Sequence, residues 1–321
     1  MQNIFLAILI FMTTVVVAQQ IETADYKAVA AKFEKYYNNG SADSLFAMLS
    51  PETQKALPLD KLSSVTTALH MQMGKIVQRD FLKYEGPAIV YKTKLERGLL
   101  TLTLAIDSNS KLTGLLFKPY AEPNLPKMER NTTKLKLPFK EEWTVFWGGD
   151  TKELNYHVSH PAQKNAFDIL IFDANGKSFK TNGKTNEDYY AFGKELVAPC
   201  DGEVMLVVDG VKDNVPGELN PVYVPGNTVI IKTANNEYLF FAHFKQHSIK
   251  VKQGQKVKQG ELLGLCGNSG NSSEPHLHFH IQNAENMNVA TGVKCYFDQV
   301  VVNGQVKSDY SPIKGEKIKR E

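Results

Sequence analysis

Two domains of different class are expected, an α+β unit followed by an all-β unit, because the hydrophobic period changes along the chain. Apolar residues recur at helical spacing only up to Met73, and alternate with polar ones from there to Phe117. From Phe139 onward they form short β-prone runs separated by Gly, Asn, Asp and Pro, the pattern of a sandwich or rolled sheet. With 321 residues and 42% hydrophobic content, the chain can bury two cores.

Residues 1–18 carry an apolar run, Ile4 to Ala18, ending in Val16-Val17-Ala18 ahead of Gln19-Gln20. This reads as a secretory signal peptide cut after Ala18, with export to the periplasm or the medium. An uncleaved anchor is the alternative, but the run falls short of the ~20 residues that span a bilayer, so no stable membrane insertion is expected after cleavage.

Residues 22–118 form the first domain, in which helices precede an antiparallel meander. The first helix runs from Ala24 to Tyr37, with Thr23 as cap, Ala28, Ala31, Phe33 and Tyr36 as the apolar face, and Asn38-Asn39-Gly40 as the stop. Two more follow at Asp43–Leu49 and Leu59–Met73, the latter with Leu62, Val65, Leu69 and Met73 on one face. Strands are expected at Ala88–Tyr91, Leu99–Ile106 and Leu112–Phe117. His70, alone among apolar helical positions, reads as structural.

Residues 119–138, rich in Pro, Asn and Lys, are expected to be a linker. Residues 139–310 form the second domain, with strands at Trp143–Trp147, Ala166–Phe172, Gly202–Val208, Thr228–Thr233, Tyr238–His243 and Leu262–Cys266. Residues 311–321, with Lys314, Lys317, Lys319 and Arg320, read as a solvated basic tail. The formal net charge of +3 is dispersed, which argues against nucleic-acid binding. Cys200, Cys266 and Cys295 show no C-x-x-C spacing and are expected to be structural and unbridged.

The chemistry concentrates in Pro275-His276-Leu277-His278-Phe279-His280-Ile281, where period 2 puts His276, His278 and His280 on one strand face. Each neutral ring brings a donor and an acceptor that need partners if buried. A metal is an economical partner; a polar face of satisfied histidines is the bland alternative. Asp168 sits inside Phe167-Asp168-Ile169-Leu170-Ile171, where an ionised carboxylate is costly unless paired or bound to metal. His157 and His160 lie upstream, and His243 ends the apolar run Tyr238–Ala242. Two or three imidazoles and one carboxylate on strands suit a tetrahedral zinc site with one position left for water.

Several segments resemble the lysostaphin-like, LytM-type zinc metalloendopeptidases between about Trp143 and Gln282. They are Ala198-Pro199-Cys200-Asp201-Gly202-Glu203-Val204, Gly226-Asn227-Thr228-Val229-Ile230-Ile231, Phe241-Ala242-His243-Phe244, the Val251, Gly254, Val257, Gly260 and Leu263-Gly264 series, Gly267-Asn268-Ser269-Gly270 and Pro275-His276-Leu277-His278-Phe279. The resemblance implies an antiparallel β-sheet or roll with a groove across it, one zinc ion per chain, and bacterial peptidoglycan peptides as substrate. By position it makes Asp168 and His278 zinc ligands and His243 and His276 catalytic without being ligands, and it leaves His280 structural. Where the usual pattern has its first histidine, four residues before Asp168, stands Lys164, which has no lone pair to give. Asn155-Tyr156-His157 with Gln163 and Ala166 is similar to a variant subgroup in which a longer hairpin supplies that ligand. His157 is favoured over His160, because His160 precedes Pro161 and is biased to an extended loop entrance, while His157 can pair as a strand.

The expected function is therefore an exported zinc metalloendopeptidase that hydrolyses peptidoglycan cross-links or stems by zinc-bound water, with His243 and His276 placing the water, taking its proton or stabilising the oxyanion. The alternative is a non-catalytic LytM-like module that binds wall or activates a wall amidase. In the first domain, Asn39-Gly40-Ser41-Ala42-Asp43 and Leu45-Phe46-Ala47-Met48-Leu49-Ser50-Pro51 resemble the small cone-shaped folds of the nuclear-transport-factor-like or cystatin-like group.

Overall fold

The α-helices are confined to the first quarter of the described chain, and the strands that follow them pair antiparallel. The computed structural model describes residues 20–321. The expected signal peptide, residues 1–18, lies outside the described residues, and among these no helix is long and apolar enough to cross a membrane.

In the first unit, α1 (Ala24–Asn38), α2 (Ala42–Met48), α3 (Pro51–Ala56) and α4 (Leu59–Met73) lie against a four-stranded meander. Its strands are β1 (Ile76–Glu85), β2 (Ala88–Leu95), β3 (Gly98–Ile106) and β4 (Leu112–Pro119), paired in that order. The helix α3 was not expected. Ser50 caps it, its Oγ accepting from Thr53 N at 3.2 Å, and Pro51 opens it where a missing N–H costs nothing. The buried face of α1 is Val29, Ala30, Phe33 and Tyr37, which corrects the face built on Ala28, Ala31 and Tyr36. Phe33 and Tyr37, one helical turn apart, stack at 6.3 Å and both meet Phe117. Burying that aromatic pair decides the rotation of the helix, and alanines tolerate exposure at little cost.

The second unit is an antiparallel all-β domain. Its first strands are β5 (Trp143–Trp147), β6 (Phe167–Leu170), β7 (Glu195–Val197), β8 (Gly202–Val208), β9 (Asn227–Lys232) and β10 (Tyr238–Phe244). Then come β11 (Lys256–Val257), β12 (Leu262–Leu265), β13 (Leu277–Gln282), β14 (Gly292–Val293), β15 (Phe297–Val302), β16 (Gln305–Tyr310) and β17 (Lys317–Lys319). The main sheet runs β11-β8-β9-β10-β13-β6-β5-β17-β15-β16, with β14 beside β13; β12 pairs with β7 alone. One face carries a core that includes Trp143, Phe167, Ile169, Leu239, Phe241, Leu277, Phe279 and Ile281. The opposite face holds a smaller cluster with Ile230, Phe240 and Ala242 and, as described below, the histidines. The three cysteines are free and buried.

Two connecting segments differ from expectation. Residues 311–321 are no solvated tail: β17 lies between β15 and β5, and Ile318 is fully buried between two exposed lysines. The buried position is a single isoleucine, so the charge around it hid the strand. Nor are residues 119–138 a free linker. Leu135 and Leu137 enter the second core, Asn131 exchanges hydrogen bonds with the Tyr296 backbone at 2.7 and 2.9 Å, and the Glu237 carboxylate accepts from the Thr132 and Thr133 amides. Between the units, Asn286 in the loop after β13 donates to the carbonyls of Leu99 at 2.8 Å and Tyr120 at 3.0 Å.

Candidate metal centre and groove

Strand register builds the centre. His278 on β13 is the Cα partner of Asp168 on β6, and directly opposed residues of an antiparallel pair share a face. The His278 Nδ1 and Asp168 Oδ1 atoms are 2.9 Å apart. His157 comes from the long connection between β5 and β6. It lies in a 3₁₀ turn, Tyr156–Ser159, and not on a paired strand as expected. The Asn155 side chain caps that turn, accepting from His157 N at 3.2 Å and donating to the Gly149 and Ala166 carbonyls at 3.1 and 2.9 Å. The cap sets the ring so that Nε2 stands 3.0 Å from Asp168 Oδ2. His157 Nδ1 is buried without a hydrogen-bond partner among the described residues, so packing on Tyr156, with ring centroids 4.0 Å apart, orients the ring. His160 has the extended backbone expected before Pro161 and stays exposed at the cleft rim.

One donor atom each from His157, Asp168 and His278 lies within 4.8 Å of the other two, and all three residues are buried. Two imidazoles and a carboxylate at this spacing suit a small borderline ion with bonds of ~2.0–2.2 Å, so the residues present fit zinc. Burial opposes the charge on Asp168, but His276, His157 and His278 outweigh it and hold its pKa well below the usual carboxylate range. Burial lowers His278 as well, against the pull of Asp168.

A backbone irregularity brings in His243. Ala242 is the Cα partner of His278, so regular alternation would turn His243 to the opposite face, into the core. Instead the register shifts between Phe241 and Phe244 and His243 adopts φ of 63°. Phe241 and Phe244 both stay in the core while His243 joins the face of His278, with ring centroids 5.8 Å apart. Asn227 and Ser269 brace this bulge: each donates to the Phe244 carbonyl, at 2.9 and 2.8 Å, and Ser269 Oγ accepts from Asn227 N. The loop carrying Ser269 lies so close that a Cβ on Gly226 would fall 2.4 Å from the Ser269 carbonyl carbon, which explains glycine there. His243 Nδ1–H donates to the Ser269 carbonyl at 2.7 Å, leaving Nε2 as the free basic atom. Burial, then the neighbouring His276 and His278, hold its pKa well below the usual histidine value.

His276 stands beside His243 at a centroid distance of 4.8 Å. Its Nδ1 donates to the Glu274 carbonyl at 2.8 Å and its Nε2 lies 3.5 Å from Asp168 Oδ1. Burial lowers its pKa, but Asp168 and the Glu274 carbonyl raise it more, and the net direction is upward. His280 shares the strand face of His278 by alternation, but it is fully buried and lines neither cleft. Clefts of about 280 and 340 Å³ meet over Tyr156, His243, Asn271 and His278, and Phe146, Trp147 and Leu219 supply an apolar wall. Sequence reasoning missed Asn155, Asn227 and Ser269 as supports and the apolar wall of Phe146, Trp147 and Leu219; Asn155 showed only within Asn155-Tyr156-His157, and Asn227 and Ser269 only within Gly/Asn/Ser motifs.

Residues 186–290, which include His243, His276 and His278, match the protein family described as peptidase family M23. The chain carries a peptidase family M23 domain. Residues 30–115 match a family described as a protein of unknown function, DUF3887. The peptidoglycan DD-endopeptidase ShyA of Vibrio cholerae is 37% identical over 73 residues, 19% of this chain and 17% of that protein. The cell division protein DipM of Caulobacter vibrioides is 33% identical over 105 residues, 33% of this chain and 16% of that protein. The chain thus spans about a sixth of the length of these curated relatives. Among solved structures, pseudoalterin, described as an M23 metalloprotease, aligns at 14% identity and a TM-score of 0.33 over 57% of this chain and 98% of its own, too distant to bear on the site. His157 and Asp168 precede the matched M23 stretch, so sheet register and the Asn155 turn, not the family match, bring them to His278.

Proposed function

We propose that this protein is an exported zinc metalloendopeptidase that hydrolyses peptide cross-links or stems of bacterial peptidoglycan. The observation that carries the reading is the convergence of His157, Asp168 and His278 on one point of an open groove, with two further imidazoles, His243 and His276, beside it. His157 Nε2, Asp168 and His278 Nδ1 would hold a zinc ion, which would supply Lewis acidity for polarising a scissile carbonyl and acidifying a water.

The chain's own residues do the rest. His243, neutral and with Nε2 free, is suited to accept a proton from a water in the groove. His276, whose pKa Asp168 and the Glu274 carbonyl raise against burial, holds a proton more readily and is suited to donate a hydrogen bond to the oxyanion of a tetrahedral intermediate. Phe146, Trp147 and Leu219 line the cleft with apolar side chains against which a peptide can lie. The named activity of ShyA supports peptidoglycan as the substrate class. Export belongs to the same reading, since the wall lies outside the cytoplasm; mass spectrometry of the mature protein is expected to find its amino terminus at Gln19.

Purified protein with one equivalent of zinc, incubated with purified sacculi, should release new peptide ends visible in the muropeptide profile. His243→Ala and His276→Ala should keep stoichiometric zinc and each lose about 10²–10⁴ in rate. Intact sacculi with the zinc-loaded wild type would instead favour the wall-binding or amidase-activating module, and zinc loss in either variant would overturn the role assignment.

A further inference from the structure

His280 and Gln282, which the proposed chemistry does not use, continue a line of hydrogen bonds from His278 along β13. His278 Nε2 lies 3.1 Å from His280 Nδ1, and His280 Nε2 lies 2.9 Å from Gln282 Oε1. The Gln282 amide nitrogen donates to the carbonyls of Ala284 at 2.7 Å and Glu285 at 3.0 Å. Those carbonyls only accept, so the amide cannot be turned round without setting its oxygen against two others. Its Oε1 must therefore face His280, and an oxygen that only accepts requires a proton on His280 Nε2.

His280 and Gln282 are fully buried, and the polar partners of His280 among the described residues are His278 and Gln282. Neither partner is an anion, and a second proton on His280 would place an uncompensated charge in the interior. With one proton, on Nε2, its Nδ1 is an acceptor and takes the Nε2–H of His278. One atom of His278 is then left with a free electron pair, Nδ1, and it faces Asp168 Oδ1 at 2.9 Å. Two electron-pair donors held this close demand a cation between them.

We propose that His280 and Gln282 are positioning residues that hold His278 in its Nε2–H tautomer and so present Nδ1, beside Asp168, to the metal. The proposal rests on the metal-binding reading above. It makes the fully buried third histidine of the strand part of the zinc site without being a ligand, through its partner's far nitrogen.

The test is zinc affinity of the purified chain, measured by chelator competition. His280→Phe keeps a ring stacked on Phe240, where the native centroids are 4.7 Å apart, but removes the acceptor, and its zinc Kd should rise about 10–100-fold. His280→Asn places a carbonyl oxygen where Nδ1 stood and should recover most of that loss, although Phe preserves the packing better. Gln282→Met, near in shape but without the amide, should weaken zinc in the same direction and carries the test if His280→Phe does not fold. Wild-type affinity in His280→Phe, or equal weakness in His280→Phe and His280→Asn, overturns the tautomer relay while leaving the metal site intact. A wild type that takes up no zinc overturns the functional reading and the relay together.

Discussion

A single carboxylate organises the site. Asp168 lies within 3.0 Å of both His157 and His278 and 3.5 Å from His276, so each imidazole is placed relative to one buried charge. Removing one of these imidazoles leaves that charge less compensated and, on the proposed reading, weakens metal binding. The two upstream histidines separate cleanly on this basis: His157 is 2% exposed with Nε2 on Asp168, and His160 is exposed and makes no such contact. His157→Ala should therefore abolish stoichiometric zinc, and His160→Ala should leave it nearly intact, as read by metal analysis after dialysis. Zinc retained in both variants would mean that another residue completes the centre.

At the level of elements, irregularities do the positioning. The bulge in β10 places His243 at the cost of a left-handed backbone, which in a residue with a Cβ costs about 1–2 kcal/mol. His243→Gly should accordingly be more stable than His243→Ala by about 1 kcal/mol in denaturant unfolding, the reverse of the order expected in a regular strand. The connecting segment offers a second case. Burial opposes the Glu237 carboxylate, but its hydrogen bonds to Thr133 and Thr132 lower its pKa on balance. A lowered folded pKa adds stability above the unfolded value of ~4.3 and loses it as pH falls through the folded pKa. The stability advantage of the wild type over Glu237→Gln should be constant near neutrality and shrink only below about pH 4.3. An advantage independent of pH would assign the effect to shape alone.

For the whole molecule, the sheet depends on its last strand. β17 bridges β15 and β5, and Ile318 is buried in the same core as Trp143 and Val300. Deleting residues 313–321 removes that bridge and the buried Ile318, about 1.5–3 kcal/mol from burial alone, and exposes two strand edges. The truncated protein should show a lower denaturation midpoint and a tendency to associate, whereas trimming a solvated tail would change neither. The first domain is tied in by Asn286, four residues beyond Gln282, so the α+β unit anchors the loop whose carbonyls hold the Gln282 amide.

Fold class, most strands and the residue types that converge at the candidate site were legible in the sequence because hydrophobic period and residue type are local properties. The alternation around His276 and His278 and the lone aspartate in the apolar run at Asp168 announced themselves without coordinates. What the sequence could not decide was any placement set by departure from a period or by a distant partner. A 3₁₀ turn carries His157, and a one-residue slip turns His243 out of the core. A single buried isoleucine makes residues 317–319 a strand, and two loop carbonyls give His280 a partner that fixes its proton. Only the tertiary structure decides these, because each depends on backbone groups brought together from positions that no local pattern relates.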